Sequence, residues 1–250
     1  MTKYIKIAGY TIELNLLYEK TFAYFGQYLV SGENAKPDLV ISTSYGDLLD
    51  RQAITNEGTK IMDGSEEHRF FDLYRHEFFS VYNKIAETMP TLDTFLMHGV
   101  AVGMDDSAYM LTAPSGVGKT TRATLWTECY PQSFIINGDK PLIKVTDTEV
   151  FACGTPWCGK EGMNTNTMLP LRGVFFVERI KDNENDSIQE ISIGQALSRL
   201  LKQIYFPSLP ESRKKIMELL QKMNQRVQFY VFRSSPTEEA IRLAYETIRQ

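Results

Sequence analysis

The segment Ala113-Pro114-Ser115-Gly116-Val117-Gly118-Lys119-Thr120 has the residue types that bind a polyphosphate. Small residues let a loop wrap a phosphate with backbone N–H groups pointing inward, and the N-terminus of a following helix adds positive potential. In that arrangement Lys119 bridges the β- and γ-phosphates of a nucleoside triphosphate, and Thr120 places its hydroxyl on Mg²⁺. Ser115, Gly116, Val117, Gly118, Lys119, Thr120 and Thr121 are the expected nucleotide contacts. Ala113 stands where the usual pattern has glycine, which is tolerable only if the residue keeps a negative φ.

A phosphate loop needs a second carboxylate to hold Mg²⁺ or receive a proton. Asp139 follows the apolar run Phe134-Ile135-Ile136, about twenty residues past Lys119, enough for one helix and a return to the sheet. Asp105 and Asp106 compete, but read more simply as turn residues. His98 lies within the apolar run Phe95–Val102, as a core histidine or a site residue. The segment Gly154–Gly162 has three glycines, Pro156, Trp157 and Lys160, and is either a packed surface loop or one that closes over a charged ligand. Arg172 sits in the apolar run Leu171–Val177, where a buried arginine needs a carboxylate or phosphate partner. Cys129, Cys153 and Cys158 lack the ligands for a zinc site and fit a reducing compartment.

The elements that position these groups follow from periodicity. The loop lies between a strand over Ala108–Thr112 and a helix over Lys119–Cys129, the context such a loop requires. Phe95–Met104 reads as the strand before it, across the turn Asp105-Asp106-Ser107. Further strands are expected at Ser133–Ile136, Leu142–Thr146, Phe151–Cys153 and Leu171–Val177. Residues 181–187 form a charged turn. The tail beyond is expected to be mainly helical, at Gly194–Tyr205, Glu211–Gln225 and Thr237–Arg249, with one strand at Val227–Phe232. Thr237 caps the last helix, and Glu238 and Glu239 sit at its positive end. Upstream, Ile5–Ala8 and Thr11–Leu14 make a hairpin through Gly9-Tyr10, Leu16–Leu29 has helical spacing, Leu39–Ser42 is a strand, and residues 44–67 show no periodicity. Phe70–Thr88 is an amphipathic helix closed by Pro90. The texture changes near residue 90, which suggests a small α+β unit over 1–90 and a second domain over 91–250.

Across 250 residues the chain is 43% hydrophobic and 23% charged, with a net charge of −4. That is an ordinary globular composition with no electrostatic footprint for nucleic acid. No apolar run is long enough to span a membrane, and MTKYIKIAGY lacks the features of a signal peptide, so a cytoplasmic protein is expected.

The order HGVAV, YMLTAPSGVGKTT, NGDKP and LRGV resembles the HPr serine kinase/phosphorylase family. The smaller bacterial HPr-kinase-like proteins are the nearer match. Their pattern is similar to His98-Gly99, Ala113–Thr121 with Leu125-Trp126, Asn137–Pro141, Gly154–Gly162 with Asn166, and Pro170–Gly173. The resemblance is specific over residues 95–178. It implies an α/β fold with a mixed sheet around the phosphate loop, shared with ATP-dependent phosphoenolpyruvate carboxykinase, with ATP and Mg²⁺ as cofactors. It further implies that His98 and Asp139 line the catalytic centre, with Asp139 as base or Mg²⁺ ligand, and that Lys160 and Arg172 steady the transferred phosphate. Family kinases often have two adjacent aspartates where this chain has Gly138-Asp139. The expected activity is a kinase acting on a hydroxyl of a peptide or protein. A small-molecule kinase and a nucleotide-binding sensor without turnover are the alternatives.

Overall fold

The computed structural model describes residues 1–32, 36–53, 73–180 and 184–249, in two compact units, Met1–Glu87 and Thr88–Gln250. In the first unit, β1 (Thr2–Ile7) and β2 (Tyr10–Asn15) pair antiparallel with Ile7 opposite Tyr10. Their two-residue turn is therefore Ala8-Gly9, one position before the expected Gly9-Tyr10. Both residues have positive φ (53° and 80°), the twist a tight hairpin requires. β3 (Leu29–Val30) and β4 (Leu39–Ser42) complete a sheet of order β3-β1-β2-β4.

Leu16–Leu29 is not the α-helix its spacing suggested. Glu19–Tyr28 is a 3₁₀ segment broken at Gly26 (φ 26°, ψ −108°), and Phe22, Phe25 and Tyr28 are buried at intervals of three, the period of that tighter helix. Residues 45–53 are helical, although the sequence showed no periodicity there. The amphipathic helix is described over Leu73–Thr88, and Phe70 lies outside the described residues. Its Glu77, fully buried, accepts the N–H groups of Leu17 (2.6 Å) and Tyr18 (3.1 Å) and the hydroxyls of Thr21 and Thr43. One carboxylate thus pins three segments of this unit.

The second unit contains β5 (Thr94–Leu96), β6 (Val100–Met104), β7 (Ser107–Thr112), β8 (Phe134–Asn137), β9 (Leu142–Val145), β10 (Val150–Cys153), β11 (Met168–Glu178), β12 (Ser187–Ile191) and β13 (Gln228–Arg233). The sheet runs β5-β9-β10-β11-β7-β6-β8, with β13 joining β11 and β12 beyond it. Two expectations are corrected. Phe95–Met104 is two strands, broken at His98-Gly99, and β5 pairs with β9 while β6 pairs with β7 and β8. At Gly99 a Cβ would lie 2.8 Å from Leu111 O, so the chain crosses β7 too closely for any side chain. In the C-terminal region the helix expected over Gly194–Tyr205 ends at Leu200. β12 starts at Ser187, the last residue of the charged stretch, and is a strand the sequence did not suggest, whereas β13 is the strand expected at Val227–Phe232 and lies between β11 and β12.

β11 buries side chains on both faces, which is why its sequence reads as a continuous apolar run. Phe175 and Val177 pack with Ala123 and Trp126 of the helix Lys119–Cys129 and with Ala240, Ile241 and Ala244 of the helix Glu238–Ile248. Val174 and Phe176 pack on the opposite face with the helices Ile193–Leu200 and Pro210–Met223. The helix Glu238–Ile248 is capped as anticipated, Thr237 accepting the Ala240 N–H. Among the described residues, no helix is long and apolar enough to cross a membrane.

Candidate active site

Strand direction assembles the site. β7, β11 and β13 are parallel, and β6 runs antiparallel to both β7 and β8, so β7, β8, β11 and β13 all point the same way. Their carboxyl ends deliver Ala113, Gly138-Asp139, Arg179 and Ser234 to one edge of the sheet, and β6 starts there from His98-Gly99. Ligand sites of α/β sheets lie in this crevice beyond the carboxyl ends of the strands.

The Ala113–Gly118 loop passes directly from β7 into the helix Lys119–Cys129. Gly116 and Gly118 take φ of 80° and 99°. The only non-glycine residues with positive φ among those described are Ala8, Asp93, Asp105 and Asp106, so Ala113 keeps negative φ and needs no glycine. Gly118 stands at the helix N-cap with no side-chain capping bond, which leaves the first-turn N–H groups directed to the loop. Ser115, Gly116 and Thr121 are exposed, and Val117, Gly118 and Thr120 half-buried. The Lys119 ammonium, largely buried, donates to Ala113 O (3.0 Å) and Pro114 O (3.3 Å). Its burial lowers its pKa, opposed by the charge of Asp139 and reinforced by that of Lys140.

Behind the loop lies a group the sequence did not single out. Arg122, 1% exposed, donates through Nε to Ser234 Oγ (2.8 Å), through Nη2 to Ser234 O, and through Nη1 to Val117 O and Gly118 O (3.2 Å each). It fixes the loop's carbonyls backward and ties them to the end of β13.

Asp139 is held by an Asx turn. Asn137 Oδ1 accepts the N–H of Asp139 (2.9 Å) and of Lys140 (2.6 Å), while Gly99 N–H donates to Asp139 O (2.9 Å). Asp139 Oδ1 lies 3.3 Å from His98 Nε2 and 3.9 Å from Lys140 Nζ. Burial would raise this carboxyl, but the His98 hydrogen bond and the charges of Lys140, His98 and Lys119 outweigh it and hold the group below its ordinary range. His98 Nδ1 is 3.1 Å from Gln203 Oε1, so Gln203–His98–Asp139 forms a connected row.

The remaining candidates divide. Arg172 is exposed and paired with Glu149 (3.0 Å), near the middle of β11 where that strand is level with the start of β7. It stands beside Ala108 and Tyr109, about 15 Å along the strands from the loop, so it does not join the site. The side chain points outward and finds a carboxylate at the surface, so no buried partner is needed. The Gly154–Gly162 segment is not a free lid. Residues 154–158 are buried, Asn137 Nδ2 donates to Thr155 O and Oγ1 (3.0 Å each), and Thr155 Oγ1 donates to Lys140 O (2.8 Å). Only Gly159–Gly162 is exposed. Lys160 lies on that tip, next to Gly159, where an added Cβ would come 3.2 Å from Asp139 Cβ. A Cβ on Gly138 would lie 2.8 Å from Cys158 O, so the segment's backbone fills the place a second aspartate would take. Burial pushes the Cys153 thiol up to about 12, which removes it as a thiolate ligand at neutral pH.

Among the described residues no cluster of three or more His, Cys, Asp or Glu could hold a metal. The Mg²⁺ ligands expected from the sequence, Thr120 and Asp139, are one hydroxyl and one carboxylate, within the small number of protein ligands that ion takes beside water and phosphate oxygens. Two clefts flank the loop. One of about 610 Å³ is lined by Gly116–Gly118, Thr121, Arg122 and Ser234–Pro236. The other, about 410 Å³, is lined by Thr112–Pro114, Val117, Phe176–Arg179, Arg199, Lys202 and Gln203.

No family model matches the chain, and no curated protein matches it. Among solved structures, that of the Hpr(Ser) kinase/phosphatase from Coxiella burnetii matches 62% of this chain and 88% of its own, at 10% identity and a TM-score of 0.37. That is a distant structural similarity.

Proposed function

We propose that this chain is a Mg²⁺-dependent phosphotransferase that binds ATP on the Ala113–Thr120 loop and passes the γ-phosphoryl group to a hydroxyl of a peptide or protein. The observation that carries the reading is the meeting of Lys119, Asp139 and His98, from three separate segments, at the carboxyl edge of one sheet. Helix N–H groups and Lys119 bind the phosphates, and the larger cleft beside Thr121 takes the nucleoside. Thr120 and Asp139 would hold Mg²⁺, which supplies charge neutralisation to the phosphate oxygens.

The lowered carboxyl of Asp139 makes it a better orienting group than a proton store. It aligns the acceptor hydroxyl. The bond from the γ-phosphorus to the bridging oxygen of ADP breaks as the acceptor oxygen bonds to phosphorus, and the hydroxyl proton passes late to Asp139 and then to solvent. His98, steadied by Gln203, keeps the carboxylate aimed. The apolar wall of the smaller cleft, Val117, Phe176 and Val177, supports a polypeptide acceptor over a polar metabolite.

Incubation with γ-labelled Mg·ATP and a library of Ser-, Thr- and Tyr-containing peptides tests the reading. Label should appear on peptide and disappear in Asp139→Asn. A protein that binds ATP but labels no hydroxyl would support the second reading, a nucleotide sensor, which the absence of room for another carboxylate at Gly138 favours.

A further inference from the structure

Arg179 occupies the end of β11 at which a cation would serve the phosphate loop. It follows Glu178, the last residue of the strand, and is exposed, and its Nη2 donates to Gly116 O in the middle of the loop. It also lines both clefts, so its side chain stands on the ridge between them. Two of the neighbouring charges are committed elsewhere. Glu178 is held by Arg199 and Arg233, and Arg122 is buried on Ser234. A guanidinium whose bond goes to a neutral carbonyl gains by exchanging it for a phosphate oxygen, because charge-assisted bonds are about twice as strong. The smaller cleft reaches Gln203, which steadies His98 beside Asp139, so the ridge faces the side where a phosphoryl group would leave.

We propose that Arg179 contacts the terminal phosphate of the bound nucleoside triphosphate, as an arginine supplied in cis from the carboxyl end of β11. This rests on the nucleotide-binding reading above. It assigns to Arg179 the charge-stabilising role expected of Arg172, which the strand register places level with the start of β7, away from the loop.

Calorimetric titration of the full chain, Arg179→Ala and Arg179→Lys with Mg·ATP and with Mg·ADP separates the possibilities. Arg179→Ala should weaken ATP about tenfold or more and ADP by less than about threefold, with Arg179→Lys between the wild type and alanine for ATP. A structural effect on the loop would weaken both nucleotides equally, and that result, or no loss for either, overturns the proposal. A wild-type chain that binds neither nucleotide overturns the nucleotide reading itself. Because Arg179 is exposed, the variants should melt with the wild type, which circular dichroism checks.

Discussion

Replacing Arg122 by methionine removes the guanidinium that ties the phosphate loop to the end of β13. Its two bonds to Ser234 are buried, and a hydrogen bond from a charged donor contributes about 1.5 kcal/mol. The two bonds to Val117 O and Gly118 O, at 3.2 Å and partly buried, add less. Burial already disfavours the charged guanidinium, and relief of that penalty returns part of the loss. A net destabilisation of about 2–3 kcal/mol follows, with Arg122→Lys intermediate because an ammonium cannot span both partners. The chain's two tryptophans, Trp126 and Trp157, are both buried in the Thr88–Gln250 unit, so fluorescence-detected urea unfolding reports on that unit. The urea midpoint should fall at unchanged slope, and Mg·ATP affinity should fall with it. A variant that unfolds at the wild-type midpoint with unaltered affinity would refute the clamp.

Two further outcomes follow from the site's geometry. Arg172→Ala removes one exposed ion pair far from the loop, so stability should change by less than about 1 kcal/mol and ATP binding not at all. A loss of ATP binding measured by calorimetry would contradict the position given to Arg172. Asp139 has a folded-state pKa below its ordinary value of 3.8, so its stabilising contribution is complete above that value and is lost as the pH falls through the lower folded one. The midpoint difference between wild type and Asp139→Asn in urea should therefore be present at pH 7 and shrink below about pH 4. An unchanged difference at both ends would show that the carboxylate is not held by His98 and Lys140.

What the sequence disclosed was local. The loop, its flanking strand and helix, and the capped helix at Thr237 depend on neighbours within a few residues, and composition and periodicity carry that information. Asp139 stood out in the sequence because a short apolar strand ends just before it. The misplacement of Arg172 had a non-local cause: which end of β11 meets the loop depends on its parallel pairing with β7, some sixty residues earlier. Arg179, a charged residue immediately past an apolar strand, was the available signal. Gln203 and Ser234 reach the site only through tertiary packing, and neither type is distinctive alone. The Gly154–Gly162 stretch looked like a hinge by composition. Gly154 in fact serves close packing, since a Cβ there would fall 1.9 Å from Thr165 O. The 3₁₀ segment at Glu19–Tyr28 was misread because intervals of three fit both helix types over so short a span.

The central claim is that the Ala113–Thr120 loop binds a nucleoside triphosphate through Lys119. Isothermal titration of Mg·ATP into the wild-type chain and into Lys119→Ala measures it directly. Lys119 already points its ammonium at the loop's own carbonyls, so the substitution removes a preplaced charge rather than reshaping the fold. The wild type should bind, and the variant should bind at least tenfold more weakly, a loss of about 1.4 kcal/mol or more. Superimposable curves for the two proteins, or no heat of binding in either, would contradict it.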